Sequence, residues 1–296
     1  MVKSAMMLKD FEMDTLTGDE IPEMLREIPD APKKLYIQGK LPGPNTKLLC
    51  VVGSRKYTPY GKEACEKLIA GLRGYDIAIV SGLALGIDSV AHRSALEAGL
   101  KTIAVPGSGL DESVLYPHTH KKLAEDILEA GGATLSEFEP KFRAVYYSFP
   151  QRNRIMAGFS HATLVIEAEI KSGTLITSKF ATEYNRDVLA LPGSIFSKNS
   201  DGPHMLIRLG ATPIRTSTDI LEALGFNIDE EPQNLELKYA DCSDEELLVI
   251  KILSEPMSKD DLFRTLKMPV SKANAVISIM EIKGLIKESL GEVRLT

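Results

Sequence analysis

The chain has 296 residues, 44% hydrophobic and 26% charged, which is enough for one large α/β domain and a small second one. Its three cysteines, Cys50, Cys65 and Cys242, lie far apart and form no CxxC or Cys/His cluster, which excludes a disulfide framework, gives no zinc spacing and fits a reducing cytoplasm. The net charge of -6 divides unevenly: residues 1–44 carry 6 basic and 8 acidic groups, 45–226 carry 20 and 19, and 227–296 carry 9 and 14. Affinity for phosphates comes from basic groups, so a nucleic-acid site, if present, is a local patch in the middle region.

Lys3, Lys9 and Asp10 break up the apolar start, and no run of 18 apolar residues occurs, so neither secretion nor a membrane span is expected. Residues 1–44 read as an N-terminal extension. From 45 to 226, short apolar runs alternate with helix-like stretches: LLCVVG (48–53), IAIVSG (77–82), TIAVPG (102–107), TLVIEA (163–168) and VLALPG (188–193). Continuous β-branched runs suit strands buried on both faces, and stretches such as GKEACEKLIAGL carry the apolar spacing of crossover helices. The fold class expected is a Rossmann-like, doubly wound, mostly parallel sheet, with any ligand beyond the carboxyl ends of the strands. Residues 227–240, acidic and holding Pro232, read as a linker. In 241–296, Ser243 and Ser258 are placed to cap helices ending near Ser254 and Leu266, a third helix spans 270–283 before Gly284, and LIKES with LGEVRLT forms a hairpin. Three helices and a wing make a winged-helix-like domain, suited to DNA reading or, as the favoured alternative, to protein contact.

In VVGSRKYTPYG (51–61), Gly53 permits a tight strand-to-helix turn at which backbone N–H groups of Gly53 and Ser54 approach a phosphate, and Arg55 supplies a planar, always charged fork. The alternative for Arg55 is a salt bridge at the sheet rim. GxGxxG is absent and the second strand ends in Val80-Ser81-Gly82 without an acidic residue for a ribose, so a nicotinamide site is not indicated; Gly61-Lys62 followed by Glu63 is no P-loop either. No cofactor or metal is expected. In SGLALGIDSVAH (81–92), Asp88 and His92 stand four apart on a helix, and a structural Asp-His hydrogen bond is favoured over a catalytic pair, because no nucleophile accompanies them. Gly107, Ser108 and Gly109 form a further turn with open N–H groups. The segment KFRAVYYSFPQRNR (141–154) holds four basic and no acidic residues, with Phe142, Tyr146, Tyr147 and Phe149 among them. Single-strand binders combine cations for phosphates with aromatic faces for bases. At least two of these aromatics are expected to be core anchors, with one or two near Phe149 left to stack bases. Arg152, Asn153 and Arg154 are expected where the helix RIMAGFS begins, so that charge and open N–H groups converge. Ser172, Gly173 and Thr174 make one more anion cradle, and four or five cradles on one edge suit a row of phosphates better than one mononucleotide.

These residues resemble the DNA processing protein A (DprA/Smf) family, through VVGSRKYTPYG, SGLALGIDSVAH, GSGLDESVLYP, FPQRNRIMAG, EAEIKSGTLITSKFATE and LPGSIFSKNSDGPHMLIRLGA, in the family's order and spacing from about Asp30 to Gly225. The resemblance implies a cytoplasmic, homodimeric, non-catalytic protein that binds single-stranded DNA, protects it in natural transformation and helps load the recombinase RecA. It assigns phosphate gripping to Arg55 and the FPxRNRI helix start to Phe149–Ile155. Three departures stand out. The first 44 residues are too few for the family's frequent leading helical domain, His120 replaces the Asn of Tyr-Pro-x-x-Asn, and winged-helix tails occur in only some relatives. Two other readings compete: a nucleoside-monophosphate phosphoribohydrolase, whose PGGxGTxxE pattern here lacks its Gly-Gly and has Thr177 for its glutamate, and a nucleotide sensor signalling through the C-terminal domain.

Overall fold

A computed structural model describes residues 7–227, 242–253, 255–266, 268–283, 285–289 and 291–295. It divides into two compact units, Met1–Glu230 and Glu231–Thr296. The expected linker, apart from Asn227, and Ser254 and Gly284 at the expected helix ends, lie outside the described residues.

In the first unit the elements are β1 (Met13–Thr17), α1 (Glu23–Arg26), β2 (Lys34–Gly39), β3 (Lys47–Val52), α2 (Pro59–Ala70), β4 (Ile77–Ser81), α3 (Ile87–Glu97), β5 (Lys101–Ala104), α4 (Lys121–Glu129), β6 (Ala133–Ser136), α5 (Ser148–Gly158), β7 (Ala162–Val165), α6 (Thr174–Glu183), β8 (Asp187–Ala190), α7 (Asp201–Arg208), β9 (Thr212–Pro213) and α8 (Ser217–Ala223). They form one nine-stranded sheet in the order β1-β2-β6-β5-β4-β3-β7-β8-β9. From β6 to β9 all neighbours are parallel, while β1 and β2 add an antiparallel edge. The expected doubly wound, mostly parallel sheet is therefore present, and all five apolar runs are strands. Within the expected N-terminal extension, β1 and β2 add to the same sheet, with Tyr36 paired to Ser136 and Ile37 to Leu135.

Strand β3 shows why the runs read so clearly. Leu49 and Val51 point into one apolar cluster with Cys65, Leu68 and Ile69 of α2 and Val90 and Ala91 of α3. Leu48, Cys50 and Val52 point into the other, with Ile155 and Met156 of α5. A strand alternates its side chains between faces, so helices on both faces require apolar residues at every position. The same parallel direction brings the loops after β6, β5, β4, β3, β7 and β8 to one edge, in that spatial order. Helix α2 opens on Thr58, whose side chain accepts the Gly61 N–H, with Pro59 in the first turn where its missing N–H costs nothing.

The second unit runs α9 (Asp244–Ile252), β10 (Met257–Ser258), α10 (Lys259–Leu266), α11 (Val270–Ile282), β11 (Ile286–Ser289) and β12 (Glu292–Leu295). The strands pair antiparallel in the order β10-β12-β11 around an apolar core that includes Val249, Leu262, Ile277 and Val293. Ser243 caps α9 in a reciprocal box with Glu246.

Candidate nucleic-acid interface

The sheet edge is organised around the turn after β3. Ser54 Oγ accepts the Lys56 N–H at 3.1 Å and donates to the Lys56 carbonyl at 2.9 Å. The Ser54 carbonyl accepts from Ile87 N–H at 3.1 Å, tying this turn to the start of α3. That approach requires glycine at position 86, where φ is +90° and a Cβ would strike the Ser54 carbonyl. Arg55 is exposed and makes no ion pair among the described residues; its guanidinium lies over the Phe149 ring, 5.3 Å from the centroid. The rim salt bridge considered for Arg55 is thus not what this geometry contains. No partner is found among the described residues for the Ser54 and Arg55 N–H groups.

Arg55, Phe149 and Arg152 come together with Gly82, Ala84, Leu85, Tyr116 and Pro117 around a small, solvent-open crevice. Phe149 packs against Gly107 and against Tyr116, whose ring centroid lies 5.6 Å from its own. Arg152 is only 4% exposed. One terminal nitrogen donates to the Val105 carbonyl at 2.6 Å, and the Nε–H has no partner among the described residues. Burial lowers its guanidinium to about 10, opposed by the charge of Asp88, so it stays protonated at neutral pH. Asp88 lies across Gly82 from it and accepts the Gly82 N–H at 3.1 Å. Burial raises the Asp88 carboxyl, with the charge of Arg152 and the backbone bonds acting against it. A Cβ at position 82 would fall on the Arg152 guanidinium, so glycine there leaves space for a buried cation beneath the crevice.

Several expected sites fall differently. Helix α5 begins at Ser148, not at Arg154, because Pro150 sits within its first turn, where a missing N–H is tolerated. Residues 152–154 are therefore inside the helix, and their N–H groups are not gathered at its end. Asn153 donates to the Gly173 carbonyl at 3.3 Å. Arg154 is turned away into a part-buried ion pair with Glu137 and donates to the Asp30 carbonyl at 2.6 Å, which fastens the N-terminal segment to the sheet. The Gly109 N–H is not open, since it donates to the Phe142 carbonyl at 2.9 Å; Ser108 is fully buried, and its hydroxyl donates to the Gly109 carbonyl. In the turn after β7, Ser172 N–H donates to Glu169 and Thr174 N–H to Ser172 Oγ, while Thr174 Oγ1 donates to the Gly53 carbonyl at 3.0 Å. This turn braces the Arg55 turn more than it offers free donors.

Asp88 and His92 do not bond to each other. The His92 ring shares a 2.7 Å bond with Thr102, whose hydroxyl donates to the Ile79 carbonyl, and burial lowers the imidazole to about 3. His120, in the place of an Asn, bonds the Leu83 carbonyl at 2.7 Å. Of the four aromatics in 141–149, Phe142 stacks on Phe138 at 4.6 Å and Phe149 packs as described, while Tyr146 and Tyr147 are 92% and 63% exposed beside exposed Lys141 and Arg143. Gly82 and Tyr116 were not singled out from the sequence as site residues. Their signal was present in SGLALG and in LYP, as a small-residue turn and an aromatic next to a proline at adjacent strand ends.

A family model described as DNA recombination-mediator protein A matches residues 12–225. Protein Smf of Escherichia coli is 41% identical over 216 residues, 72% of this chain and 57% of that protein, so the match spans little more than half of that relative. DNA processing protein DprA of Streptococcus pneumoniae is 43% identical over 216 residues, 73% of this chain and 75% of that protein. The crystal structure of the S. pneumoniae protein aligns with a TM-score of 0.67 at 41% identity, covering 75% of this chain and 76% of that one. The Helicobacter pylori DNA processing protein A, described with a single-stranded DNA binding mode, aligns with a TM-score of 0.63 at 31% identity, covering 74% and 98%. The ordered strand-end motifs, the sheet they terminate and these alignments agree: the chain belongs to the DNA recombination-mediator protein A family of DNA processing proteins.

Proposed function

We propose that the chain binds single-stranded DNA along the carboxyl-end edge of its large sheet and acts by binding rather than by catalysis. The observation that carries this reading is the Arg55 site: an exposed, unpaired guanidinium on an aromatic ring, next to open N–H groups, with buried Arg152 adding charge from below. Six neighbouring strand ends span five spacings of about 4.8 Å, roughly 24 Å, which suits several consecutive phosphates. Tyr146 and Tyr147 meet the bases, Phe149 backs the Arg55 guanidinium, and Lys141 and Arg143 add charge. Gly53, Gly107, Ser108, Gly109, Asn153, Ser172, Gly173 and Thr174 support this edge, and Ser54 and Arg55 contact phosphate directly.

Within this reading the protein works in the cytoplasm as a homodimer, protects incoming single strands in natural transformation and helps place RecA on them; membership of the family supports these roles. No helix among the described residues is long and apolar enough to cross a membrane. We read the C-terminal unit as winged-helix-like; Lys272 of α11 and Lys283, just after it, are paired with Glu245 and Glu246 of α9, which favours protein contact over DNA reading there.

The enzyme reading lacks its carboxylate: the position is Thr177, buried on α6. Competition separates the readings. A labelled oligonucleotide is displaced by unlabelled single strand and not by a nucleoside monophosphate in large excess. Preferential displacement by the monophosphate would favour a nucleotide sensor, and release of free base from it would favour the enzyme.

A further inference from the structure

The sheet edge carries a second group of exposed rings and cations, on the far side of Arg55 from Tyr146 and Tyr147. The loop after β8 displays Ile195 and Phe196, 79% and 92% exposed, and exposed Lys198. This loop is tied down. Tyr60 donates its hydroxyl to the Pro192 carbonyl at 2.6 Å, and Asn199 donates its amide to the Lys56 carbonyl at 2.9 Å. Beneath both, the buried Glu167 carboxylate accepts the Thr58 N–H at 2.8 Å and the Thr58 hydroxyl at 2.6 Å. The loop and the Arg55 turn are therefore held to each other, and Tyr57, Tyr60 and Lys56 of that turn stand exposed beside it.

A phenyl ring left in water on an anchored loop points to an occupant. Aromatic faces interleaved with lysines match alternating bases and phosphates. The position adds continuity, because β3, β7 and β8 are adjacent in the sheet and a strand gripped at Arg55 reaches this group by crossing two strand ends.

We propose that Phe196, with Tyr57 and Tyr60, is a second base-stacking platform for single-stranded DNA, and that Lys56 and Lys198 meet the phosphates between the bases. The inference rests on the single-strand reading above and extends its track past β7 and β8.

The test uses the full chain and single strands of graded length, with Phe196→Ala, Phe196→Tyr and Lys198→Ala beside wild type. Phe196→Ala is expected to bind long strands about tenfold more weakly, the loss of one stacked base, while its affinity for the shortest strands that still bind is unchanged. Phe196→Tyr keeps a flat ring and is expected to retain affinity. Lys198→Ala is expected to flatten the salt dependence for long strands only. Wild-type binding with no loss in Phe196→Ala at any length would overturn the platform and leave the single-strand reading standing. A wild type that binds no single strand would overturn that reading itself. Equal weakening at all lengths, with dissociation of a dimer in sedimentation, would make Phe196 a contact between copies and overturn the platform.

Discussion

Replacing Arg55 by Ala removes one exposed guanidinium that makes no ion pair among the described residues, so the change falls on the ligand and not on the fold. A charge-assisted bond to phosphate contributes about 1.5–3 kcal/mol, and its loss weakens single-strand binding by about 10- to 150-fold. One phosphate contact on a single strand corresponds to about 0.7 of a unit in the slope of log K against log salt, and the variant is expected to be flatter by that amount. Unfolding free energy should stay within about 0.5 kcal/mol of wild type, as for other exposed positions. Arg55→Lys keeps the charge but loses the planar fork that lies on Phe149, so it is expected to keep the slope and recover only part of the affinity. Fluorescence anisotropy at several salt concentrations, with denaturant unfolding as the control, reads all of these. If Arg55→Ala keeps both affinity and slope, the turn after β3 does not hold phosphate.

Gly82→Ala places a methyl group on the Arg152 guanidinium and 2.6 Å from an Asp88 oxygen; it is expected to cost about 1–3 kcal/mol of stability by overpacking and to weaken binding at the crevice, measured by chemical denaturation and by titration with DNA. Arg154→Ala leaves Glu137 part-buried without its partner and is expected to cost about 3–5 kcal/mol of stability, while the protein that remains folded binds single strands as wild type does; selective loss of DNA affinity at full stability would return Arg154 to the interface. His92 is neutral in the folded chain, at about 3, and titrates near 6.5 when unfolded, so the stability from its neutral burial is present above pH 6.5 and is lost as pH falls below it. That loss reaches about 2 kcal/mol at pH 5, and the unfolding free energy of His92→Asn should fall less than that of wild type between pH 7 and pH 5.

The five central strands were legible because burial on both faces makes them mostly apolar, with few polar residues such as Ser81, Thr102 and Thr163, as β3 shows with Leu48 to Val52 divided between two cores. Edge strands β1 and β2 were not, since Met13–Thr17 is mostly exposed and Lys34–Gly39 lies in a charged stretch that resembles a loop. Strand β6 is four residues, ATLS, too short for a pattern. At the site, Arg55 and Phe149 are singled out in the sequence by their motifs, a glycine turn and a basic-aromatic segment, but the stacking of one on the other joins two distant segments and was not legible. The ion pair of Arg154 was not legible, because its partner Glu137 lies on a different segment and nothing in FPQRNR marks the side to which each arginine turns. Asp88 and His92 have the spacing for contact, yet the backbone at Gly82 and the hydroxyl of Thr102 each claim one of them, and both partners come from other elements. Spacing places residues on one face of a helix; it does not decide between a neighbour on that helix and a strand beneath it.

The central claim is that the edge selects single strands by combining phosphate grips with stacked bases. Equilibrium binding of the full chain to one labelled oligonucleotide, alone and annealed to its complement, across a range of salt tests it most directly. The account predicts tighter binding of the single strand at every salt concentration and a preference that persists when high salt has weakened both, because base stacking is available only to unpaired bases. Equal affinities that vanish together at high salt would contradict it, leaving only a non-specific attraction to phosphate.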